Sequence, residues 1–235
     1  MNNKNESLQT ITIDGPAGSG KSTICKLLAE ELSYHQVDSG AFYRAYTWLA
    51  TQYSSQKNIQ FKSVLSEETF FTYINENPPV FTFDQNRQKV HWSGKDLETE
   101  IRKPEITDKI KIIADNKRIR TLVNAKIRSL SKSYDIIADG RDMGTVVFPE
   151  AQYKFFLTAD LEERAHRRFK EFSIVDPDIN IAEVKEKIEK RDKEDETREF
   201  GALKAASNAI FVDTTGLEIN AVLKIMHKKI HQVDS

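Results

Sequence analysis

Cysteine and histidine are scarce in this 235-residue sequence, which has one cysteine, Cys25, and five histidines. One thiol cannot form an intramolecular disulfide, and no cysteine and histidine spacing resembles a zinc site. This usage fits a reducing compartment, so we expect a cytoplasmic protein with Cys25 packed inside a helix.

Long apolar runs and an excess of one charge are also missing. No stretch approaches the ~20 apolar residues of a bilayer span, and the polar first ten residues contain no apolar signal segment. Lysine and arginine number 35 against 36 acidic residues, so the net charge of −1 gives no general reason to bind nucleic acid or an anionic membrane. We therefore expect neither partner, and we expect a soluble, unprocessed monomer.

Short β-branched or apolar runs alternate with segments of helical spacing, and this alternation predicts an α/β fold with a central parallel sheet. The predicted strands are 10–14, 34–37, 134–138, 153–157 and 209–213. The predicted helices are 21–32, 41–52, 104–132, 161–172, 181–197 and 217–231. Two further apolar runs, 80–83 and 89–92, flank a polar turn and predict an antiparallel hairpin in an insert over 60–103.

The glycine-rich run Gly15–Ser22 fits the pattern G-x-x-x-x-G-K-[ST] between a predicted strand and a predicted helix. Such a loop turns its backbone N–H groups toward phosphate oxygens, and the helix N-terminus adds a partial positive charge. Lys21 is expected to reach the β- and γ-phosphates, and the Ser22 hydroxyl is expected to contact Mg²⁺. The sequence therefore predicts a nucleoside triphosphate site.

Two other segments follow predicted strands. Asp38-Ser39-Gly40 begins a predicted helix that carries Arg44 one turn later, which suits a second phosphate, although a serine cap with a surface arginine is an equal alternative. Asp139-Gly140-Arg141-Asp142 lies at a predicted strand end, where Arg141 can clamp phosphate and Asp142 can accept a hydrogen bond from a base amino group. A structural ion-pair turn is the alternative there.

Arginines also recur at helical spacing in the last third of the chain. Arg164, Arg167 and Arg168 would share one helix face, and Arg191, Asp195 and Arg198 repeat that spacing. The second set lies in a dense mixed-charge run that is typical of a solvated helix face. Arginines on a closing segment would instead cover a transferring phosphoryl group and exclude water.

The order of these motifs resembles the bacterial cytidylate kinase family. The resemblance is carried by Ile13–Ser22, Asp38–Arg44, Asp139–Pro149 and Glu162–Arg168, and it continues through Lys190–Asp195 and Asp213–Leu217. It extends from about Thr10 to Ile225. It implies a single P-loop kinase domain over 1–235 with a three-layer fold, a CMP-binding insert at 60–103 and a helical lid at 160–200. The implied reaction is Mg²⁺-dependent phosphoryl transfer from ATP to CMP or dCMP.

The resemblance also implies roles for individual residues. The catalytic residues would be Lys21, Arg141, Arg167, Arg168 and Arg198. ATP would be bound by Gly15, Pro16, Ala17, Gly18, Ser19, Gly20, Lys21, Ser22 and Thr23, and Ser22 would also contact the metal. CMP would be bound by Ser39, Arg44, Arg120, Asp139, Arg141, Asp142, Arg191 and Asp195. One departure is Lys111, which stands where similar sequences usually have a serine near the base. Two alternatives remain open: a P-loop kinase for another nucleotide, and a nucleotide-dependent switch.

Overall fold

A computed structural model of the chain describes residues 8–174 and 177–231. Most of the amino-terminal segment that we expect to carry no signal, two positions of the expected lid and the last four residues of the expected domain lie outside the described residues. None of the helices within those ranges combines the length and the apolar character that crossing a bilayer requires.

Strands and helices alternate along the chain. The strands are β1 (Thr10–Asp14), β2 (His35–Asp38), β3 (Val80–Asp84), β4 (Arg87–Trp92), β5 (Lys95–Asp96), β6 (Ile136–Gly140), β7 (Tyr153–Thr158) and β8 (Ile210–Asp213). The helices are α1 (Lys21–Leu32), α2 (Ser39–Lys57), α3 (Glu68–Glu76), α4 (Pro104–Ala114), α5 (Lys117–Leu130), α6 (Leu161–Phe172), α7 (Ile181–Glu196) and α8 (Ile219–His231). A π-helical turn spans Met143–Val147.

The central sheet has the strand order β2-β6-β1-β7-β8, and β1 pairs in parallel with both β6 and β7. The predicted α/β fold with a parallel sheet is thereby confirmed. β6 begins and ends two residues later than predicted. In its pairing with β1, Ile13 lies opposite Asp139 and Asp14 lies opposite Gly140. Because parallel strands end at the same edge, the loops that follow β1 and β6 are neighbours.

By its contacts the chain divides into two units, Met1–Gln36 with Ser131–Ser235 and Val37–Leu130. In the first unit the β-branched and aromatic residues of β1 and β7 form a core with α1 and α8, and Ile13 and Leu157 are fully buried there. Burying such a side chain contributes about 1.5–3 kcal/mol. Cys25 belongs to this core, and its thiol donates to the Ile137 carbonyl oxygen, as the prediction of a packed thiol requires.

The second unit contains the predicted hairpin, since β3 and β4 pair in antiparallel fashion. The turn between them has positive φ angles at Gln85 and Asn86, which are tolerated best by asparagine and glycine. Phe42 of α2 stacks on Phe81 of β3 with ring centroids 3.7 Å apart. The insert also contains α3, which the prediction of an antiparallel subdomain left out.

The predicted helix 104–132 is wrong as a single element, because the structure divides it into α4 and α5. The backbone N–H of Asp115 donates to the Lys111 carbonyl oxygen as α4 ends, and the Asn116 side chain accepts from the N–H of Ile119 as α5 begins. Asparagine and aspartate compete with the helical backbone for such hydrogen bonds. The helical spacing of apolar residues continues across the break between α4 and α5, so the sequence pattern alone does not indicate the break.

Candidate active site

The glycine-rich loop Gly15–Gly20, which the sequence analysis predicts to bind phosphate and which is therefore called the phosphate-binding loop, connects β1 to α1. Gly15 has a φ of +150°, and a Cβ there would lie 2.0 Å from the Leu157 carbonyl oxygen of the neighbouring strand β7, so a glycine is required. α1 begins after Gly20 with no capping side chain among the residues that the structure describes. Its first N–H groups are therefore available to an anion, which is the property that a phosphate site needs.

Lys21, the first residue of α1, folds back over this loop. Its Nζ donates to the Pro16 carbonyl oxygen at 2.6 Å and to Ser19 Oγ at 3.3 Å, and only 6% of the residue is exposed. Burial lowers the pKa of this amino group well below its ordinary value, and the charge of Arg141 acts in the same direction. The loop thus holds a desolvated ammonium group that a bound anion would stabilise.

Other charged groups act on Lys21 from the same unit. Asp139 favours its charged form, whereas Arg191 and Arg168 disfavour it. Three arginines from separate segments therefore act on the charge of Lys21. Such a concentration of cations suits a polyphosphate, because the ligand supplies the missing negative charge.

Ser22 and Asp139 form the part of the site that fits a magnesium ion. The Ser22 hydroxyl donates to Asp139 Oδ2 at 2.9 Å, and Asp139 is buried at the end of β6. Mg²⁺ prefers oxygen ligands and is bound with nucleotides by one or two carboxylates plus phosphates. Within residues 8–174 and 177–231 there is no cluster of three or more ligating side chains, and a nucleotide-bound Mg²⁺ does not need one.

Asp14 is a buried acid that the sequence analysis did not select. It lies at the end of β1, where its two carboxylate oxygens accept hydrogen bonds from the backbone N–H groups of Met143 and Gly144 at 2.9 and 2.7 Å. The sequence feature that could have indicated Asp14 is its position at the end of a predicted strand, directly before the glycine-rich loop. The contacts fix the segment that directly follows Arg141 and Asp142.

Arg141 and Asp142 lie just beyond β6, as predicted. Arg141 Nε donates to Asp195 Oδ2 at 2.7 Å, and Arg198 donates to the other oxygen of the same carboxylate at 2.7 Å. Burial acts to raise the pKa of Asp195, but Arg141 and then Arg198 outweigh it and hold the pKa below its ordinary value. Asp142 is almost completely buried beside Arg141.

The charged run of α7 differs from a fully solvated helix face, because Asp192 and Asp195 are both buried. Arg191 is exposed. Arg198 lies beyond the end of α7 at Glu196, so the expectation that Arg191, Asp195 and Arg198 share one helix face is wrong for Arg198. The structure nevertheless joins Arg198 to Asp195 through their ion pair.

The three arginines of α6 have separate partners. Arg164 is buried and forms an ion pair with Asp192. Arg167 donates to the hydroxyl and carbonyl oxygens of Thr214, and partly exposed Arg168 pairs with Glu171. The prediction that all three would present one common face is therefore wrong for Arg164, which is directed into the protein.

Three predicted site residues, Ser39, Arg44 and Arg120, belong to the second unit. Ser39 is buried as the first residue of α2, and Arg44 donates to Thr107 Oγ1 at 2.8 Å and to the Ile101 carbonyl oxygen at 3.2 Å. The helix cap is Asp38, whose side chain accepts from the N–H of Ala41, so Ser39 does not act as the cap. Buried Arg120 donates to the Ala114 carbonyl oxygen.

Known proteins resemble this chain over nearly its whole length. A family model described as cytidylate kinase matches residues 11–232. A cytidylate kinase of Enterococcus faecalis is 39% identical over 223 residues, which cover 95% of this chain and 96% of the relative. A cytidylate kinase of Fusobacterium nucleatum is 40% identical over 224 residues, which cover 95% and 97%.

A solved structure, that of an uncharacterized protein from Eubacterium ventriosum, matches with a TM-score of 0.50 at 12% identity and covers 95% of this chain and 98% of its own. At that identity the likeness concerns the fold alone. The family model and the curated relatives decide the assignment, because they span both the phosphate-binding loop and the segment after β6. This chain belongs to the cytidylate kinase family, a family of nucleoside monophosphate kinases.

Proposed function

We propose that the protein transfers the γ-phosphoryl group of ATP to CMP or dCMP in the presence of Mg²⁺, giving ADP and CDP or dCDP. The observation that supports this most strongly is the buried Lys21 ammonium group in the phosphate-binding loop, which is acted on by Arg141, Arg168 and Arg191. In this proposal Lys21 belongs to the site for the donor ATP, and the arginines supply positive charge for the acceptor phosphate.

On the donor side, the backbone of Gly15–Thr23 and the N-terminus of α1 bind the ATP phosphates. Lys21 then exchanges the Pro16 carbonyl oxygen for a phosphate oxygen, and the added negative charge raises its pKa again. Ser22 and Asp139 would hold Mg²⁺, which would offset the negative charge of the phosphates during transfer. The sequence analysis grouped Asp139 with the CMP residues, and its hydrogen bond to Ser22 supports a role beside the metal.

On the acceptor side, Arg141, Ser39 and Arg44 bind the CMP phosphate. An oxygen of this phosphate is the nucleophile and is already anionic, so the reaction needs no general base. Catalysis then depends on positioning and on charge compensation, for which Arg167, Arg168 and Arg198 of the segment 160–200 cover the transferring group.

Asp142 and Arg120 read the cytosine edge, and Arg191 with Asp195 contacts the sugar. Cytosine has an amino donor at its 4-position that suits the Asp142 carboxylate, whereas uracil has an acceptor there. A buried carboxylate that faces an acceptor loses a charged hydrogen bond, which is worth about 1.5–3 kcal/mol, or roughly 10–100-fold. The proposal therefore includes discrimination against UMP.

A steady-state assay of ADP formation with ATP, Mg²⁺ and each of CMP, dCMP, UMP, AMP and GMP tests this function. We expect CMP and dCMP to be the preferred acceptors, with kcat/KM for UMP lower by at least ~10-fold. Equal values of kcat/KM for UMP and CMP would overturn the cytosine assignment. Lys21→Ala is the control for a contaminating kinase.

Three further features belong to the proposal. The protein acts as a monomer, which light scattering during size-exclusion chromatography tests, and a cytoplasmic location remains a prediction.

Lys111, an exposed residue of α4, influences the base or sugar preference. Lys111→Ser should change the ratio of kcat/KM for CMP over dCMP or for CMP over UMP, and two unchanged ratios would show that Lys111 influences neither preference.

A further inference from the structure

Ala17 of the phosphate-binding loop has both of its backbone polar groups bonded to one ion pair. Its N–H donates to Asp192 Oδ1 at 3.0 Å, and its carbonyl oxygen accepts from an Arg164 guanidinium nitrogen at 3.0 Å. The same guanidinium nitrogen donates to the other carboxylate oxygen of Asp192. The peptide groups of Ala17 and the two side chains thus close a ring of hydrogen bonds.

This ion pair is buried, since Asp192 is 7% and Arg164 is 8% exposed. Arg164 is held further by a hydrogen bond from its Nε to the Ala159 carbonyl oxygen at 2.9 Å. A buried charge that loses its partner is strongly destabilised, so each member of the pair holds the other in place. The position of the Ala17 peptide is therefore set by two side chains that have little freedom of their own.

Apolar contacts support the same arrangement. Ala17 packs in a cluster with Ala165 of α6 and with Val184 and Ile188 of α7. A Cβ at Gly18 would lie 3.0 Å from the carbonyl oxygen of Arg164, so this part of the loop lies directly against the first turn of α6. The tip of the loop is consequently packed on α6 and α7, and the ion pair lies at that contact.

Because the N–H of Ala17 donates to Asp192, this peptide group supports the loop. α7 also carries Arg191 and Asp195, which flank Asp192 in the sequence and which the proposed function assigns to CMP. A shift of α7 would therefore move Asp192 and the Ala17 peptide together. The contact therefore ties the position of the loop tip to that of α7.

We propose that Asp192 and Arg164 are positioning residues of the phosphate-binding loop, which fix the Ala17 peptide so that the loop is preformed for the ATP phosphates. The proposal rests on the proposed function, because it assumes that the loop binds ATP. In this proposal the two residues act through the Ala17 peptide, with which both form hydrogen bonds.

Asp192→Asn tests the proposal, because it keeps an oxygen that can accept from the Ala17 N–H and removes the charge that holds Arg164. Glu189→Gln is the matched control: it makes the same chemical change at an exposed position of α7. We expect the Kd for MgATP, measured by titration calorimetry, to rise about tenfold in Asp192→Asn, as loss of a charged hydrogen bond predicts. The Kd for CMP measured without ATP should stay within about twofold, because Arg191 and Asp195 are intact.

Arg164→Lys provides a second variant that retains the positive charge but cannot contact Ala17 and Asp192 with the same geometry. It should raise the Kd for MgATP less than Arg164→Met does, which is the rescue expected of a positioning cation. A lowered melting temperature with an MgATP Kd equal to that of Glu189→Gln would show a structural role only and would overturn the proposal.

The wild-type protein supplies a measurement that does not depend on any variant folding. Amide hydrogen exchange, followed by NMR in the absence of nucleotide, should be slow at the Ala17 N–H because Asp192 accepts its hydrogen bond. Exchange as fast as that of a solvated loop would contradict the arrangement. If wild-type protein binds MgATP but forms no CDP, the proposed function fails while the positioning role can still hold.

Discussion

The buried carboxyl group of Asp14 should make the stability of the protein depend on pH in a window set by its pKa. Burial raises the pKa of Asp14 from 3.8 to about 6, the hydrogen bonds from Gly144 and Met143 partly oppose that rise, and the charge of Asp142 adds to it. Since 4% of the residue is exposed, solvent screening is small. The folded protein therefore binds a proton at Asp14 more tightly than the unfolded chain does.

The size and sign of the effect follow from this difference. A tenfold difference in proton affinity is about 1.4 kcal/mol, so a pKa of about 6 in place of 3.8 corresponds to about 3 kcal/mol. Between these two values the folded state binds more protons than the unfolded state, so the free energy of unfolding falls as pH rises. The contribution is fully present below about pH 3.8 and is lost as the pH passes through about 6.

Asp14→Asn tests this reasoning, because asparagine is nearly isosteric and does not titrate. The free energy of unfolding in urea should be measured for both proteins from pH 4 to 7.5. The variant loses one acceptor for the Met143 and Gly144 N–H groups, which shifts its stability by a constant amount. The difference between wild type and variant should then fall by about 2.4 kcal/mol across the window, because part of the full effect is already lost at pH 4.

Asp108→Asn is the control, since it makes the same substitution at an exposed position of α4. Its profile should follow that of the wild type throughout. Parallel profiles for wild type and Asp14→Asn between pH 4 and 6 would refute the argument, whatever their absolute separation. That result would mean that the two backbone N–H groups stabilise the carboxylate at least as much as burial destabilises it.

The remaining predictions concern catalysis. Lys21→Ala should lower kcat by roughly 10²–10³-fold with the circular dichroism spectrum retained, and near-normal turnover would contradict the role of the loop. Asp142→Ala should reduce the preference for CMP over UMP by roughly 10–100-fold in kcat/KM. An unchanged preference would mean that Asp142 does not recognise the base. Ser22→Ala should require a higher Mg²⁺ concentration for half-maximal activity in a magnesium titration. An unchanged half-maximal concentration would mean that Ser22 does not contact the metal.

The elements that the sequence predicted best are those in which local and tertiary preferences agree. The β-branched run of β1, the glycines that follow it and the apolar spacing of α1 all predict strand, loop and helix, and the structure confirms them. Cys25 is similar, because its apolar neighbours in α1 already imply a buried side. The parallel sheet followed from the alternation of strands and helices.

The parts that the sequence did not predict depend on contacts between distant residues or on local competition for hydrogen bonds. Asp192 is 175 positions from Ala17, and Asp14 is 129 positions from Met143, so no local pattern reveals either hydrogen bond. Arg164 has the spacing of an exposed arginine face but is buried by α7. The break at Asn116 is local, yet its capping role was hidden by uninterrupted apolar spacing.

The most direct test of the account is to identify the products formed from ATP and CMP in the presence of Mg²⁺. Separation of the nucleotides by ion-exchange chromatography should show ADP and CDP forming in equal amounts, with little ADP when CMP is left out. Release of ADP and inorganic phosphate without CDP would contradict the central claim, because it would mean that the phosphate-binding loop serves hydrolysis or switching and does not transfer phosphate to an acceptor.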